Sequence, residues 1–136
     1  MESESASAGR IPTVAELAIA RGQQGKLSPA TTLWTLAASE LWIASDDEPQ
    51  GNQLPTSPLI VAAEGRDVQL LAVFTDPGVM APMLGQRVAV RVPGLELMRR
   101  MPPGAGMVIN PGHPVGMELP AETISQFVAD VTSPLA

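Results

Sequence analysis

Imidazole chemistry in this chain depends on His113, which is the only histidine in the sequence. Any imidazole-dependent general base or metal site would have to use it, and no cysteine is present to assist. His113 lies between Pro111 and Pro114, where turn-forming residues are dense. No second histidine and no ordered carboxylate spacing accompanies it. We therefore predict no catalytic residue and no metal site, and expect His113 to be an exposed turn residue or a local backbone cap.

Other residue types that carry chemistry lack the spacing that their chemistry requires. Asp46, Asp47 and Glu48 have neither the alternating oxygen ligands nor the glycine of a calcium loop, which favours a solvated acidic loop. The glycines at 104, 106 and 112 are not followed by the Gly-Lys-Ser/Thr of a phosphate-binding loop. No serine stands in a Gly-x-Ser-x-Gly motif. The sequence therefore predicts a non-enzymatic chain without a cofactor, and an enzyme built on His113 and a nearby carboxylate is the weaker hypothesis.

Four of the eight basic residues are arginines within residues 87–100, namely Arg87, Arg91, Arg99 and Arg100. On an acidic protein such a cluster could hold an anionic metabolite or dock an anionic partner. The alternative is a solvated strand face followed by a helix end, where cations complement the negative end of the helix dipole. The sequence leaves both interpretations open.

Trp34 and Trp42 are the only tryptophans, and they stand on either side of a predicted helix-to-strand junction. Core packing of at least one is expected, because aromatic side chains contribute large apolar areas. An exposed tryptophan would instead mark an interface. We therefore include both residues among the candidate binding residues.

The composition favours one folded domain over residues 11–136, preceded by a disordered tail at residues 1–10. The net charge of −6 argues against nucleic acid or an anionic membrane surface as the main partner. The N-terminal sequence MESESASAG lacks the basic and apolar regions of a signal peptide. No apolar run approaches the roughly 20 residues of a membrane span. With no cysteine to form disulfides, the expected location is the cytoplasm.

The helix signals are local and strong in the first part of the chain. Thr13 and Glu16 have the spacing of a capping box, and Ser28 followed by Pro29 predicts a second helix start. Strands are predicted at residues 41–44, 58–63 and 68–74. The last two should form a hairpin, and their continuous apolar character predicts strands covered on both faces.

The second part alternates helices and strands without a regular repeat. Helices are predicted from Pro77, from Leu95 and from Pro120, with strands at residues 87–92, 106–110 and 115–119. The final pair of strands is separated by Asn110, Pro111, Gly112 and His113, which we call the signature turn. The order α-α-β-β-β-α-β-α-β-β-α predicts an α+β fold: one domain with a mixed, mainly antiparallel sheet of about five to six strands flanked by helices.

The signature turn and its surroundings resemble the N-terminal domain of the SseB family. The resemblance is carried by VPGLEL at residues 92–97, GMVINPG at 106–112 and VGMELP at 115–120, and it extends over residues 30–130. The polar loop at residues 46–57 departs from the pattern, and the resemblance covers only the N-terminal domain of longer members.

The resemblance implies no catalytic residue and no cofactor for this chain. It implies a small cytoplasmic bacterial accessory domain that acts through a protein partner or as a homodimer. The alternative from the residues themselves is a sensor of small anionic metabolites that uses the four arginines.

Overall fold

The computed structural model describes residues 11–49, 54–62 and 68–132. These residues form five helices, α1 Val14–Gln23, α2 Pro29–Ala37, α3 Pro77–Leu84, α4 Gly94–Arg99 and α5 Ala121–Thr132. They also form six strands, β1 Glu40–Ser45, β2 Ile60–Ala62, β3 Gln69–Val73, β4 Val88–Pro93, β5 Gly106–Ile109 and β6 Met117–Leu119. The predicted α+β class, strand number and element order are confirmed. The predicted tail at residues 1–10 and the link between β2 and β3 lie outside the described residues.

Local capping chemistry fixes the starts of the first two helices. Before α1, the Glu16 amide donates to Thr13 Oγ1 (3.1 Å), and the Thr13 amide donates to Glu16 Oε1 (3.0 Å), which completes the predicted capping box. Before α2, Ser28 Oγ accepts from the Thr31 amide at 3.1 Å, with Pro29 at the first helical position. Both helix starts are therefore determined by residues within one turn of them.

The strands form a four-stranded sheet in the order β2-β3-β5-β6 and a two-stranded sheet of β1 and β4. All pairs are antiparallel except β3 with β5, which is parallel. The two sheets are joined where Trp42 and Phe74 exchange backbone hydrogen bonds of 2.8 Å in each direction. β4 consequently lies at one outer edge of the strand assembly.

The hairpin of β2 and β3 corrects one expectation. β3 is central, and every residue from Leu70 to Val73 is buried, as its apolar run predicts. β2 pairs only with β3 among the described strands, and Ile60 within it is exposed. The prediction that both strands are covered on both faces is therefore wrong for β2, because a continuous apolar run does not distinguish an edge strand from a central one.

Two apolar clusters make up the core. The larger joins α1, α2, α4 and α5 to the sheets and includes Ile19, Leu36, Leu97 and Phe127. The smaller lies under α3 and consists of Ala44, Ala72, Phe74 and Met80. The two faces of the β1–β4 pair are therefore packed against different helices. No helix in the described part of the chain is long and apolar enough to cross a membrane.

Candidate functional site

The main candidate site is a cavity of about 920 Å³ where α1, α2, β1 and the start of α3 meet. Its apolar lining includes Val14, Trp34, Trp42 and Pro77, and Arg91 lies in its wall. We call this cavity the tryptophan groove. It brings together Trp34, Trp42 and Arg91, which are three of the predicted binding residues.

Trp34 forms the most exposed aromatic part of the wall of the tryptophan groove. It lies on α2, where 56% of its surface is exposed, and its ring packs edge-to-face on Phe127 with centroids 5.4 Å apart. The edge-to-face contact fixes the ring while leaving much of it in solvent. Val14 on α1 is also exposed, at 67%, and Trp42 on β1 is half-buried. The groove therefore has a preformed, exposed aromatic wall at Trp34, while Trp42 also packs against the smaller core cluster.

The tryptophan groove carries few charged side chains for a protein with a net charge of −6. Helix α2 contains no charged residue, although Trp34 and several of its neighbours are exposed. The guanidinium of Arg91 is paired with Glu40 at 3.2 Å, and both residues line the groove. This arrangement suits an apolar partner surface better than a strongly charged one.

The structure places the four predicted arginines in separate positions. Arg87 pairs with Asp46 at 3.4 Å, while Arg99 and Arg100 both reach Glu96, at 3.3 and 3.1 Å. Arg100 lines a second cavity of about 810 Å³ beside Ile43 and Leu97. Arg87 and Arg99 line neither cavity. The four guanidiniums are thus not gathered around one of these cavities.

Beneath α1, a buried polar network connects the signature turn to the tryptophan groove. Its three members, Glu16, Thr75 and Asn110, are 4%, 3% and 1% exposed. Asn110 Nδ2 donates to Thr75 Oγ1 at 2.9 Å, and Thr75 Oγ1 donates to Glu16 Oε2 at 2.7 Å. Thr75 also lines the groove. The network therefore fixes α1, and with it Val14, relative to the end of β3.

Asn110 supplies the turn geometry as well as hydrogen bonds. Its φ of 55° lies in the left-handed region, which asparagine tolerates better than most residues. Its side-chain oxygen accepts from the Thr75 amide at 3.0 Å, and Nδ2 also donates to the carbonyl of Val115 at 2.9 Å. Asn110 thus closes the signature turn and joins β5 to β3.

His113 has a local structural contact. Its Nδ1 accepts from the Val115 amide at 3.1 Å, as the expected backbone cap would, and its side chain is half-buried. On the other side of the turn, the Gln23 side chain donates to the carbonyls of Pro114 (3.1 Å) and Gly116 (2.9 Å). The chain directly after the signature turn is therefore held against the end of α1. Among the described residues, no three His, Asp or Glu side chains are grouped so as to hold a metal ion.

Asp47 organises the loop between β1 and β2. Its carboxylate accepts from the Thr56 amide (3.0 Å), the Ser45 hydroxyl (2.7 Å) and the Ser57 amide (2.8 Å). These hydrogen bonds, with the Thr56 amide contributing most, hold the pKa of Asp47 well below its usual range. Asp47 is thus a loop-closing residue, more ordered than the solvated acidic loop that the sequence favours.

The depressed pKa of Asp47 predicts a specific acid sensitivity. The unfolded carboxyl titrates near pH ~3.9, so the stabilisation by the ionised group is complete above that pH and is lost as the pH falls towards the lower folded pKa. We expect Asp47→Asn to lower the urea midpoint at neutral pH. We also expect its midpoint to fall less than that of the unmodified protein between about pH 5 and about pH 2. Equal acid dependence of the two proteins would contradict this role.

Several residues of the site are not evident from the sequence. Val14 is not among the candidate binding residues, yet it lines the groove. Glu16 is predicted only as a capping residue, yet it is also buried in the network. Thr75 or Asp76 is predicted to cap α3, and Asp76 has that role, accepting from the Gly78 amide at 2.7 Å, while Thr75 belongs to the buried network. Their roles depend on contacts between residues far apart in the chain, for which the local pattern carries no signal.

The fold and the groove define a small α+β domain with an aromatic, mainly apolar concave surface. A family model for the SseB protein N-terminal domain matches residues 14–126, and the chain belongs to this family. The match confirms the resemblance carried by the signature turn. No curated protein and no solved structure matches the chain.

Proposed function

We propose that this SseB-type domain is a non-enzymatic, cytoplasmic interaction domain that binds a protein partner through the tryptophan groove. The observation that carries the proposal is Trp34, whose ring is fixed against Phe127 while 56% of its surface faces solvent. Exposure of a large aromatic side chain to water is unfavourable unless another surface covers it. Tryptophan is also enriched at the energetic centres of protein interfaces.

Preorganisation supports this use of the groove. A ring that is already held in place loses little conformational entropy on binding, so more of its contact energy is available as affinity. Trp42 and Val14 add apolar surface to the groove. Helix α2 contributes no charged group that must be desolvated, and the charged lining is confined to Glu40, Asp76 and Arg91. These properties favour an apolar segment of a protein over a small anion.

The anionic-metabolite alternative has less support. It requires several guanidiniums to converge on one ligand, but Arg91 and Arg100 line different cavities. Arg91 is also paired with Glu40, which would compete with an anion for the same guanidinium. The groove is therefore the better basis for a function.

The proposal predicts that Trp34→Ala reduces partner binding. Truncation of a central interface tryptophan typically costs about 2 kcal/mol or more, which is roughly a 30-fold loss of affinity. The measurement is quantitative affinity capture from native lysate with the unmodified chain and with Trp34→Ala, in which proteins lost by the variant are identified.

Ile60→Ala is the matched control for this experiment. Ile60 is an exposed large aliphatic residue, at 44%, and does not line the tryptophan groove. A partner bound through the groove should be retained by Ile60→Ala and depleted by Trp34→Ala, with both variants folded by circular dichroism. Equal recovery on all three chains would contradict the proposal, as would no specific protein on any of them.

A further inference from the structure

The outer edge of β4 has an arrangement that the tryptophan groove does not explain. Among the described strands, β4 pairs only with β1, and its six residues make it twice as long as the other edge strands, β2 and β6. Long unpaired edges present backbone donors and acceptors to other chains, and proteins usually shorten or cover them. This edge is a candidate for pairing with another strand.

The register shows which backbone groups point outwards. Trp42 directs its amide and carbonyl to Phe74, away from β4, so its partner Arg91 is in a non-hydrogen-bonded pair with it. The groups of β4 that bond to β1 are therefore those of Val88, Val90 and Val92. The amides and carbonyls of Ala89 and Arg91 point to the free edge. The Arg87 amide is already used, since it donates to the Leu84 carbonyl at 3.0 Å.

Charged side chains usually protect an edge strand, but those of β4 point away from its free edge. The guanidiniums of Arg87 and Arg91 pair with Asp46 and Glu40, which belong to β1 or follow it directly. Both cations therefore lean across β1 and not over the free edge. Ala89 has only a methyl side chain, which screens little of the backbone. Both faces of β4 are packed, by the larger core on the valine side and by α3 on the Ala89 side.

The charges select one antiparallel pairing between two copies of this strand. A two-fold axis at Ala89 would place Arg91 opposite Arg87 of the second copy, and an axis at Arg91 would place two Arg91 side chains opposite each other. Like charges directly opposite are destabilising. An axis at Val90 places Arg91 opposite Ala89 and Val90 opposite Val90. This register alone satisfies the outward groups of Ala89 and Arg91 without opposing cations.

We propose that the chain forms a symmetric dimer in which the β4 edges of two copies pair antiparallel about Val90, with Arg91 of each opposite Ala89 of the other. The pairing makes four backbone hydrogen bonds and joins the two-stranded sheets into one. The paired edge shares Arg91 with the wall of the tryptophan groove, whereas Trp34 lies on α2 and outside the proposed pairing.

Ala89→Pro tests the pairing at its backbone. The proline removes an amide that points outwards, so it leaves the β1 ladder intact, and edge strands tolerate proline in this orientation. Because both copies carry the proline, the symmetric dimer loses two of its four backbone hydrogen bonds. We therefore expect the dimer dissociation constant to rise at least about tenfold. Sedimentation equilibrium should give twice the 14.2 kDa of the chain for the unmodified protein and a shift towards 14.2 kDa for the variant.

A disulfide test does not depend on how Ala89→Pro folds. In the proposed register, the two Val90 Cα atoms form a non-hydrogen-bonded pair about 4.5 Å apart, within the range that a disulfide spans. The chain has no cysteine, so Val90→Cys introduces the only thiol. Mild oxidation should link Val90→Cys into covalent dimers faster than Ser125→Cys, although Ser125 is exposed and Val90 is only 9% exposed.

The outcomes separate this proposal from that for the groove. A monomeric unmodified chain at all accessible concentrations would overturn the dimer, and so would a folded Ala89→Pro variant that dimerises unchanged or a Val90→Cys variant that links no faster than Ser125→Cys. A dimer that is lost with Trp34→Ala and kept with Ala89→Pro would assign self-association to the tryptophan groove instead. If the unmodified chain is monomeric and Trp34→Ala still loses a captured partner, the dimer proposal is overturned and the groove proposal is supported.

Discussion

Asn110→Ala should lower the free energy of unfolding by roughly 3–5 kcal/mol, a large part of the 5–15 kcal/mol that stabilises a typical domain. The substitution leaves the Thr75 amide and the Val115 carbonyl without their partner, and Thr75 Oγ1 loses a donor. Each buried group left unpaired costs about 1–3 kcal/mol. Alanine at a φ of 55° adds about 1 kcal/mol of backbone strain. Urea unfolding followed by circular dichroism measures the loss.

Asn110→Gly separates the two contributions. Glycine adopts the left-handed conformation without strain, but it makes none of the side-chain hydrogen bonds. We expect it to be more stable than Asn110→Ala by about 1 kcal/mol and still well below the unmodified protein. A loss of less than about 1 kcal/mol for both variants would show that the buried network is not important for stability.

Gly94→Ala should also be severely destabilising, because Gly94 lies against the backbone at the end of α2. An added Cβ would overlap the carbonyl oxygen of Leu36 and lie 3.1 Å from Ala37 Cα. Backbone atoms cannot rotate aside, so α2 would have to move away from α4. We expect a loss of more than about 3 kcal/mol, above the usual range for overpacking, together with altered fluorescence of Trp34 on α2.

Gly22→Ala is the matched control for Gly94→Ala. A Cβ at Gly22 would lie 3.1 Å from Thr32 Oγ1, which is a side-chain atom. Alanine also favours the helix in which Gly22 lies, so the net effect should stay within about 1 kcal/mol of zero. Similar losses for the two variants would contradict the argument that close backbone contact at Gly94 fixes the position of α2.

Signals confined to a few neighbouring residues predict the elements of this fold well. The capping box at Thr13, the proline after Ser28 and the alternating valines of β4 each determine a local conformation and need no distant partner. The signature turn is similar, because Asn110 and Gly112 carry the positive φ values that its type requires. These local signals account for the agreement in element order.

Pairing between distant strands is not encoded in such patterns. The sequence predicts one mixed sheet, but it does not show that β3 pairs parallel with β5 or that β1 pairs with β4 as a separate sheet. The same limit applies to the candidate site. Trp34 and Trp42 can be named from the sequence, whereas Val14 and Thr75 reach the groove only through helix packing and the Glu16–Asn110 network.

The four arginines are close in the sequence but do not form one basic patch in the fold. Their proximity in the sequence indicates a basic patch, yet each guanidinium has a carboxylate at 3.1–3.4 Å and only Arg91 lies in the tryptophan groove. The relevant carboxylates, Asp46, Glu40 and Glu96, come from two elements and one loop. The pairs of Arg87 and Arg91 become visible only once the strand register is known, whereas Glu96 lies three and four residues before Arg99 and Arg100, a helical spacing that the sequence already contains.

The most direct test of the proposed interaction function is the intrinsic fluorescence of the domain during titration with a purified captured partner. The chain has two tryptophans and no tyrosine, and both tryptophans line the groove, so the emission reports on this surface. We predict a saturable blue shift for the unmodified chain and for Ile60→Ala, because the partner removes water from Trp34. For Trp34→Ala, we predict affinity lower by roughly 30-fold in a calorimetric titration. Undiminished affinity of Trp34→Ala, with emission of the unmodified chain unchanged on binding, would contradict the account.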